Sequence, residues 1–294
     1  MIPDTKYVIV VKKLDAPNSL AVNTVFQQVQ RWAASYVEVV LMVADGGELT
    51  PMQLSTIGDS TPLVVAIGGD GTVIMAAKIA MQFKFAPIAG FNLGKVGFLV
   101  DYDPKSVFES LNAAMDGDFK EDYREMLEVW VDDKLVGIGL NDVVVSCKDS
   151  DTSFQYDLGV KNAFAGTHLA NGVIFSTPTG STAYAIAVGG AIMMPDLENV
   201  MQIVPIAAQT LASRPLIVKA SPGAELSFYA AQGRPITVRV DGQIVSTIYP
   251  NDPQDVPQTL HRLRVVKHER KAVLFHHKNW NHFETLTQKL GWNK

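Results

Sequence analysis

Gly68-Gly69-Asp70-Gly71, followed by Thr72, sets three glycines around one carboxylate. The tetrad comes directly after the apolar run 63–67 and opens a helical-looking stretch over 73–83. A buried strand that ends in glycines and turns into a helix is a device for holding phosphate. Glycine lets the backbone approach a ligand closely, and the helix start presents unpaired N–H groups to an anion. Asp70 is the anomaly, because a carboxylate beside phosphates is repulsive. It makes sense with a metal ion between the two, or with Asp70 drawing the proton of an attacking hydroxyl. The chemistry indicated is phosphoryl transfer, and a tight turn without any ligand is the bland alternative for the tetrad by itself.

Other groups of residues join it. Ser176-Thr177-Pro178-Thr179-Gly180-Ser181-Thr182-Ala183-Tyr184 gathers five serine and threonine hydroxyls ahead of a helix expected over 181–194. Such a segment offers hydroxyls, amides and an aromatic face to a polar ligand without using a charge. Read structurally, it is a capped turn with Tyr184 in the core. Asn141-Asp142, at the mouth of Val143-Val144-Val145, suits a nucleoside's hydroxyls or amino group, or a simple turn. Val240-Asp241-Gly242-Gln243 reads first as a hairpin turn. Of the cations near these motifs, Lys78 reads as solvated, Lys95 suits phosphate or solvent equally, and Arg214 reads as a brace within its domain. Five of the six histidines, His261, His268, His276, His277 and His282, fall late in the chain without metal-ligand spacing, so no protein metal ligand is assigned. His168, near Asn171, suits a ligand contact or a buried hydrogen-bonded histidine.

The elements that must position these residues follow from composition and periodicity. Of the 294 residues 47% are hydrophobic and 19% charged, which describes a well-cored globular chain of two domains. A net charge of −5 argues against non-specific nucleic-acid binding. Cys147 is the only cysteine, so no intramolecular disulfide forms and a cytoplasmic location is expected, with Cys147 itself a small buried hydrophobe. The first residues lack the apolar core of a signal peptide. The uncharged stretch 162–195 is too rich in Gly, Ser, Thr and Pro to cross a bilayer as a helix, so no membrane partner is expected.

Strands are expected over 7–11, 37–43, 63–67 and 87–91. A helix is expected over 19–35, with Leu20, Val25, Phe26, Val29 and Trp32 on one face and Asn18 or Ser19 as N-cap. Another should begin at Asp103-Pro104 and end near Gly117. Such alternation gives an open α/β sheet that binds ligands at the carboxyl ends of its strands. From Tyr123 the pattern changes to short strands: a hairpin over 125–146 turning at Asp132-Asp133, then 154–160, 172–176, 215–218, 225–229, 236–240 and 260–266. Residues 280–290 return to helical character.

Taken together, these motifs resemble the NAD kinase family. The likeness rests on Gly68-Gly69-Asp70-Gly71-Thr72, Asn92-Leu93-Gly94 with Gly97-Phe98-Leu99, Asn141-Asp142, and the segment 176–184. It is completed by Gly189-Gly190, Thr210-Leu211-Ala212-Ser213-Arg214-Pro215-Leu216, Asp241-Gly242-Gln243, and the ending Lys289-Leu290-Gly291-Trp292. The resemblance implies transfer of the terminal phosphate of ATP, or of polyphosphate in some members, to the adenosine-ribose 2′-hydroxyl of NAD, with Mg²⁺ or another divalent ion accompanying ATP. It implies a Rossmann-like α/β domain over 1–122, carrying the phosphate loop and completed by 272–294. A β-rich, β-sandwich-like NAD-binding domain then covers 123–271. A homodimer or homotetramer is implied too, with subunits able to share substrate sites.

By the same resemblance Asp70 matches the catalytic carboxylate, and Gly71 and Thr72 complete the phosphate loop. Asn141 and Asp142 match the pair that holds NAD, Thr182, Ala183 and Tyr184 line the dinucleotide site, Gln243 contacts substrate, and Asp241 lies near the reacting hydroxyl. Two positions depart from the family. Asn171 stands where many members have aspartate, and Ala187 where serine is usual; both imply altered affinity or substrate preference. A lipid or sugar kinase with a similar loop is the rival among enzymes, and a dinucleotide-binding protein without turnover is the rival outside them.

Overall fold

The computed structural model describes residues 6–12, 19–35, 40–44, 48–94, 97–148, 152–210, 212–230, 235–250 and 259–291. Asn18, Lys95, Leu211, Trp292 and the start of the strand expected over 37–43 lie outside them. The chain divides into two units, Met1–Tyr123 with Ala272–Lys294, and Arg124–Lys271.

The first unit opens with β1 (Tyr7–Lys12), α1 (Ser19–Ala34), β2 (Val40–Ala44), α2 (Pro51–Ile57) and β3 (Leu63–Gly68), followed by α3 (Asp70–Gln82), β4 (Ile88–Asn92), α4 (Val107–Asp116) and β5 (Lys120–Arg124). β1, β3 and β4 are nearly continuous runs of buried apolar residues, as parallel strands covered on both faces must be. α1 turns Val22, Val25, Val29 and Trp32 inward, whereas Leu20 is 81% exposed and does not belong to the buried stripe. Trp32 Nε1 donates to Asn112 Oδ1 on α4 at 2.8 Å. The cap-then-proline reading of Asp103 placed a helix start too early. Asp103 instead makes a turn, accepting from the N–H of Lys105, and α4 begins at Val107 and ends at the left-handed Gly117. α2 was not read from the sequence, although Thr50 and Gln53 form a capping box around Pro51.

The second unit is built of strands. These are β6 (Leu127–Val131), β7 (Lys134–Gly139), β8 (Asp142–Cys147), β9 (Phe154–Val160), β10 (Ala163–Ala170) and β11 (Gly172–Ser176). A 3₁₀ turn (Thr179–Thr182) and the single-turn α5 (Tyr184–Ala187) follow, then β12 (Val200–Ile206), β13 (Leu216–Lys219), β14 (Ala224–Tyr229), β15 (Ile236–Val240), β16 (Gln243–Ile248) and β17 (Leu260–Lys267). They form two six-stranded sheets, ordered β10-β9-β14-β17-β6-β7 and β13-β12-β11-β8-β15-β16. One apolar cluster joins the sheets, with Val129, Tyr156, Leu226 and Val265 from the first meeting Val145, Phe175, Ile203 and Val238 from the second. Asp132-Asp133, both at positive φ, turns β6 into β7 as expected. The hairpin expected over 125–146 is wrong beyond that point. β7 ends at Gly139, and β8 belongs to the other sheet.

The helix expected over 181–194 does not form. α5 spans only four residues, Gly189 turns left-handed after it at φ 88°, and the N–H of Gly190 folds back onto the Ala185 carbonyl. Gln202 then clasps both backbone groups of Ala191, which holds the following residues extended.

The chain finally returns to the first unit as β18 (Ala272–His276) and α6 (His282–Leu290), giving the sheet order β2-β1-β3-β4-β18-β5. β1 pairs in parallel with both β2 and β3, so the order reverses between β1 and β3, and β3 leads into the glycine loop. Among the described residues no helix is long and apolar enough to cross a membrane.

Candidate active site

In the first unit, α3 starts without a side-chain cap: Gly69 is its N-cap residue, which leaves the first N–H groups of the helix for a ligand. A Cβ on Gly68 would lie 2.2 Å from Thr72 Oγ1, so the loop closes here only with glycine. A Cβ on Gly69 or Gly71 would meet nothing within 4 Å. Bare backbone therefore faces open space, with Thr72 buried beneath it. This is the geometry that admits a phosphate.

Asp70 points away from its own helix. Its Oδ2 accepts from the N–H of Phe98 at 3.0 Å, and its Oδ1 from the N–H of Leu99 at 3.0 Å. Gly97 is required by the same contact, since a Cβ there would come 2.5 Å from Asp70 Oδ1. Gly97-Phe98-Leu99 is thus the cradle of the Asp70 carboxylate. Asn92-Leu93-Gly94 supports it from β4, where Asn92 Oδ1 accepts from the N–H of Gly94 and Leu93 donates to the Gly68 carbonyl. A third donor comes from the chain's end: Lys289 Nζ on α6 lies 2.9 Å from Asp70 Oδ2. The sequence offered Lys289 only as one member of a terminal motif. Nothing in a separation of 219 residues signals that it meets Asp70.

In the second unit, the crossing from β7 to β8 holds Asn141-Asp142. Asp241 lies in the positive-φ turn between β15 and β16, and its carboxylate accepts from the N–H groups of Leu140, Asn141 and Asp142 at 2.9, 2.7 and 3.2 Å. From the other side, Thr177 Oγ1 donates to the Leu140 carbonyl at 2.6 Å and to that of Asn141 at 3.1 Å. Gly180 presses directly on this strand, because a Cβ there would stand 2.0 Å from the Asn141 carbonyl oxygen. The Asn141-Asp142 backbone is fixed on both faces. Burial, reinforced by the negative charge of Asp241, pushes the Asp142 carboxyl up to about 7.

The segment 176–184 performs differently from its sequence reading. Ser176, Thr177, Thr179 and Ser181 are all buried, and their hydroxyls are used within the fold. Ser181 Oγ, for example, donates to the Pro178 carbonyl and accepts from the N–H of Met193, and Thr179 Oγ1 accepts from Arg124 Nη1. Thr182 and Ala183 are half-buried and Tyr184 is 45% exposed, so these three, not the run of hydroxyls, face outward. Tyr184 is not a core residue. Gln243 begins β16 beside the Asp241 turn and is exposed.

Asn171 does not join this group. It precedes β11 at the end paired with Ser146, whereas Ser176 and Asp142 pair at the opposite end, about 13 Å away along the strand. Its Oδ1 accepts from Ser153 Oγ at 2.8 Å. Ala187 is exposed at the end of α5. His168 stacks on Tyr156 and bonds Ser213 through Nδ1, and burial lowers its pKa. Arg214 donates to the neighbouring Ser213 carbonyl. Cys147 is buried at the end of β8. Among the described residues no group of three or more His, Cys, Asp or Glu could hold a metal ion.

Each half of the chain matches a known family model. Residues 8–119 match the family model of the ATP-NAD kinase N-terminal domain, and residues 140–268 that of the ATP-NAD kinase C-terminal domain. The chain is similar to the NAD kinase of Shewanella woodyi, at 30% identity over 285 residues that cover 94% of each chain. It is 34% identical to that of Photobacterium profundum over 244 residues, 82% of this chain and 80% of the relative. A yeast NADH kinase complexed with NADH superposes with a TM-score of 0.78 at 20% identity, covering 99% of this chain and 88% of the yeast one. An Archaeoglobus fulgidus NAD kinase in complex with ATP gives 0.63 at 22% identity, covering 95% and 96%. These two likenesses show the shared fold.

Proposed function

The chain belongs to the NAD kinase family, and we propose from that premise that it transfers the terminal phosphate of ATP, or of another phosphoryl donor, to the 2′-hydroxyl of the adenosine ribose of NAD, giving NADP. The observation that carries this reading is the Asp70 carboxylate, cradled beside a glycine loop whose open backbone suits phosphate. Loose phosphoryl transfer asks the protein chiefly for alignment and charge stabilisation. Asp70 accepts the proton of the acceptor hydroxyl as the phosphate arrives, while the loop completed by Gly71 and Thr72 holds the donor's phosphates.

Asn141 and Asp142 read the nucleoside, with Thr182, Ala183, Tyr184 and Gln243 lining the dinucleotide. Asp241 acts by holding the Asn141-Asp142 backbone, because its oxygens already accept three amides there. Asn171 contacts the dinucleotide from the far end of β11, in a homodimer or homotetramer whose subunits share substrate sites. Ala187, without the usual hydroxyl, weakens a contact and leaves the base untouched.

A Mg²⁺ or other divalent ion accompanying ATP keeps several waters and is bound largely through phosphates. When bound it neutralises charge on the transferring phosphate; no residue of this chain is assigned as its ligand. The first unit is read as Rossmann-like on the reversal of strand order at β1 and β3, and the second as β-sandwich-like on its two sheets around one core. The functional division is taken as 1–122 with 272–294, and 123–271. A cytoplasmic location suits the single buried cysteine.

The test is NADP formation by purified protein with ATP, Mg²⁺ and NAD. Asp70→Asn is expected to lose turnover by about 10²-fold or more while still binding NAD. Near-normal turnover in that variant removes Asp70 from the chemistry, and NAD binding without NADP from any phosphate donor replaces the kinase with a binding protein.

A further inference from the structure

We propose that Lys289 is a positioning residue of the phosphoryl transfer: by occupying Oδ2 of Asp70 it leaves Oδ1 as the oxygen that meets the acceptor hydroxyl. The inference rests on Asp70 being the base.

A carboxylate has two oxygens with about four acceptor directions in all. Oδ2 of Asp70 takes two donors, the Phe98 N–H at 3.0 Å and Lys289 Nζ at 2.9 Å. Among the described residues Oδ1 takes only the Leu99 N–H at 3.0 Å. One acceptor direction remains, and it belongs to Oδ1. Gly97 borders that oxygen, and any side chain there would strike it.

The lysine is aimed by its surroundings. Its ammonium lies 4.2 Å from the centroid of the Phe98 ring, and His282, seven residues earlier on the same helix, meets that ring at 5.8 Å. Two turns of α6 thus grip one aromatic side chain, which is itself buried. The Lys289 and Asp70 side chains are 32% and 27% exposed, and ion pairs as open as this add little to stability. What the lysine does supply is direction and charge. It prevents the carboxylate from turning its second oxygen to the substrate, and it offsets the negative charge that would otherwise repel an incoming phosphate.

The experiment compares Lys289→Met, Lys289→Gln, Lys289→Arg, Asp70→Asn and the double variant Asp70→Asn with Lys289→Met in the NADP-forming assay. The two neutral variants are expected to lose kcat by about 10- to 100-fold, the scale of misaligned reacting groups, with KM for NAD and for ATP nearly unchanged. Lys289→Arg should recover a large part of the loss. In the double variant the Lys289 change should cost nothing beyond Asp70→Asn, because the lysine works only through that carboxylate.

Unchanged kcat in Lys289→Met, equal losses in Met, Gln and Arg, or losses that multiply in the double variant would each overturn the inference. Failure of both neutral variants to fold, shown by loss of the thermal transition, assigns Lys289 a structural role and also overturns it. Asp70→Asn with normal turnover defeats the underlying base assignment instead, so the two failures are told apart.

Discussion

Asp142 is the residue whose physical cost is plainest. Burial, and then the charge of Asp241, raise its carboxyl to about 7 from an ordinary value near 4. A carboxyl whose pKa is higher in the folded chain favours folding when protonated. That contribution is complete below about pH 4, fades as the pH climbs towards 7, and is absent above it. Asp142→Asn removes the ionisation while keeping the shape. Without nucleotide, the variant's thermal midpoint should therefore rise relative to the natural protein between pH 4 and 8, and its KM for NAD should increase at the same time. A midpoint gap that does not depend on pH would show that Asp142 is not charged at a stability cost. Asn141-Asp142 stands out in the sequence as a candidate pair, but its structural support does not. Thr177, Gly180 and Asp241 come from distant segments, and their hydroxyl, missing side chain and carboxylate matter only once β8, β11 and β15 lie side by side. Of the two readings of the serine and threonine cluster, the hydroxyls follow the capped turn: composition counts hydroxyls but does not reveal that the fold has already claimed them.

Among elements, β18 is tied in place by a buried histidine between two carboxylates. His276 at its end is fully buried, stacked on Trp280 at 4.0 Å, with Nδ1 2.8 Å from Asp101 Oδ1 and Nε2 3.1 Å from Asp122 Oδ2. Burial pulls its pKa down, but hydrogen bonds to both carboxylates, and their charges, outweigh that and raise it. Asp101 lies beyond β4, Asp122 lies on β5, and β18 runs between those two strands. The imidazolium therefore ties the returning strand to both neighbours. A raised histidine pKa contributes stability that is complete below about 6.5 and is lost as the pH rises through the folded value. His276→Gln should accordingly lower the thermal midpoint most near pH 6, and the gap should narrow as the solution becomes alkaline. A constant gap would assign the loss to packing against Trp280. Strand β18 escaped the sequence reading because five residues among charged neighbours give no periodic signal. By contrast β1, β3 and α1 were readable, since their buried runs and stripes are long. The helix expected over 181–194 failed at Gly189-Gly190, where glycine's freedom of backbone outranked the helical preference of the alanines.

At the scale of the molecule, the return of 272–294 to the first unit makes the end of the chain both a structural and a chemical component. Removing 288–294 deletes Lys289 and the last turn of α6 but leaves β18, His276 and the buried Leu286 in place. Removing 272–294 takes a strand from between β4 and β5, and leaves Asp101 and Asp122 without the cation they share. The second unit keeps its two sheets and their common core in either case. The shorter truncation should therefore keep two folded units by calorimetry while NADP formation falls at least as far as in Lys289→Met. The longer one should lose the cooperative transition of the first unit and retain that of the second, since loss of the cation shared by two partly buried carboxylates and an opened sheet are both destabilising. Retention of both transitions after the longer truncation would mean that β18 is a passenger on the sheet, and that the first unit's core is held by Trp32, Phe91 and their neighbours alone.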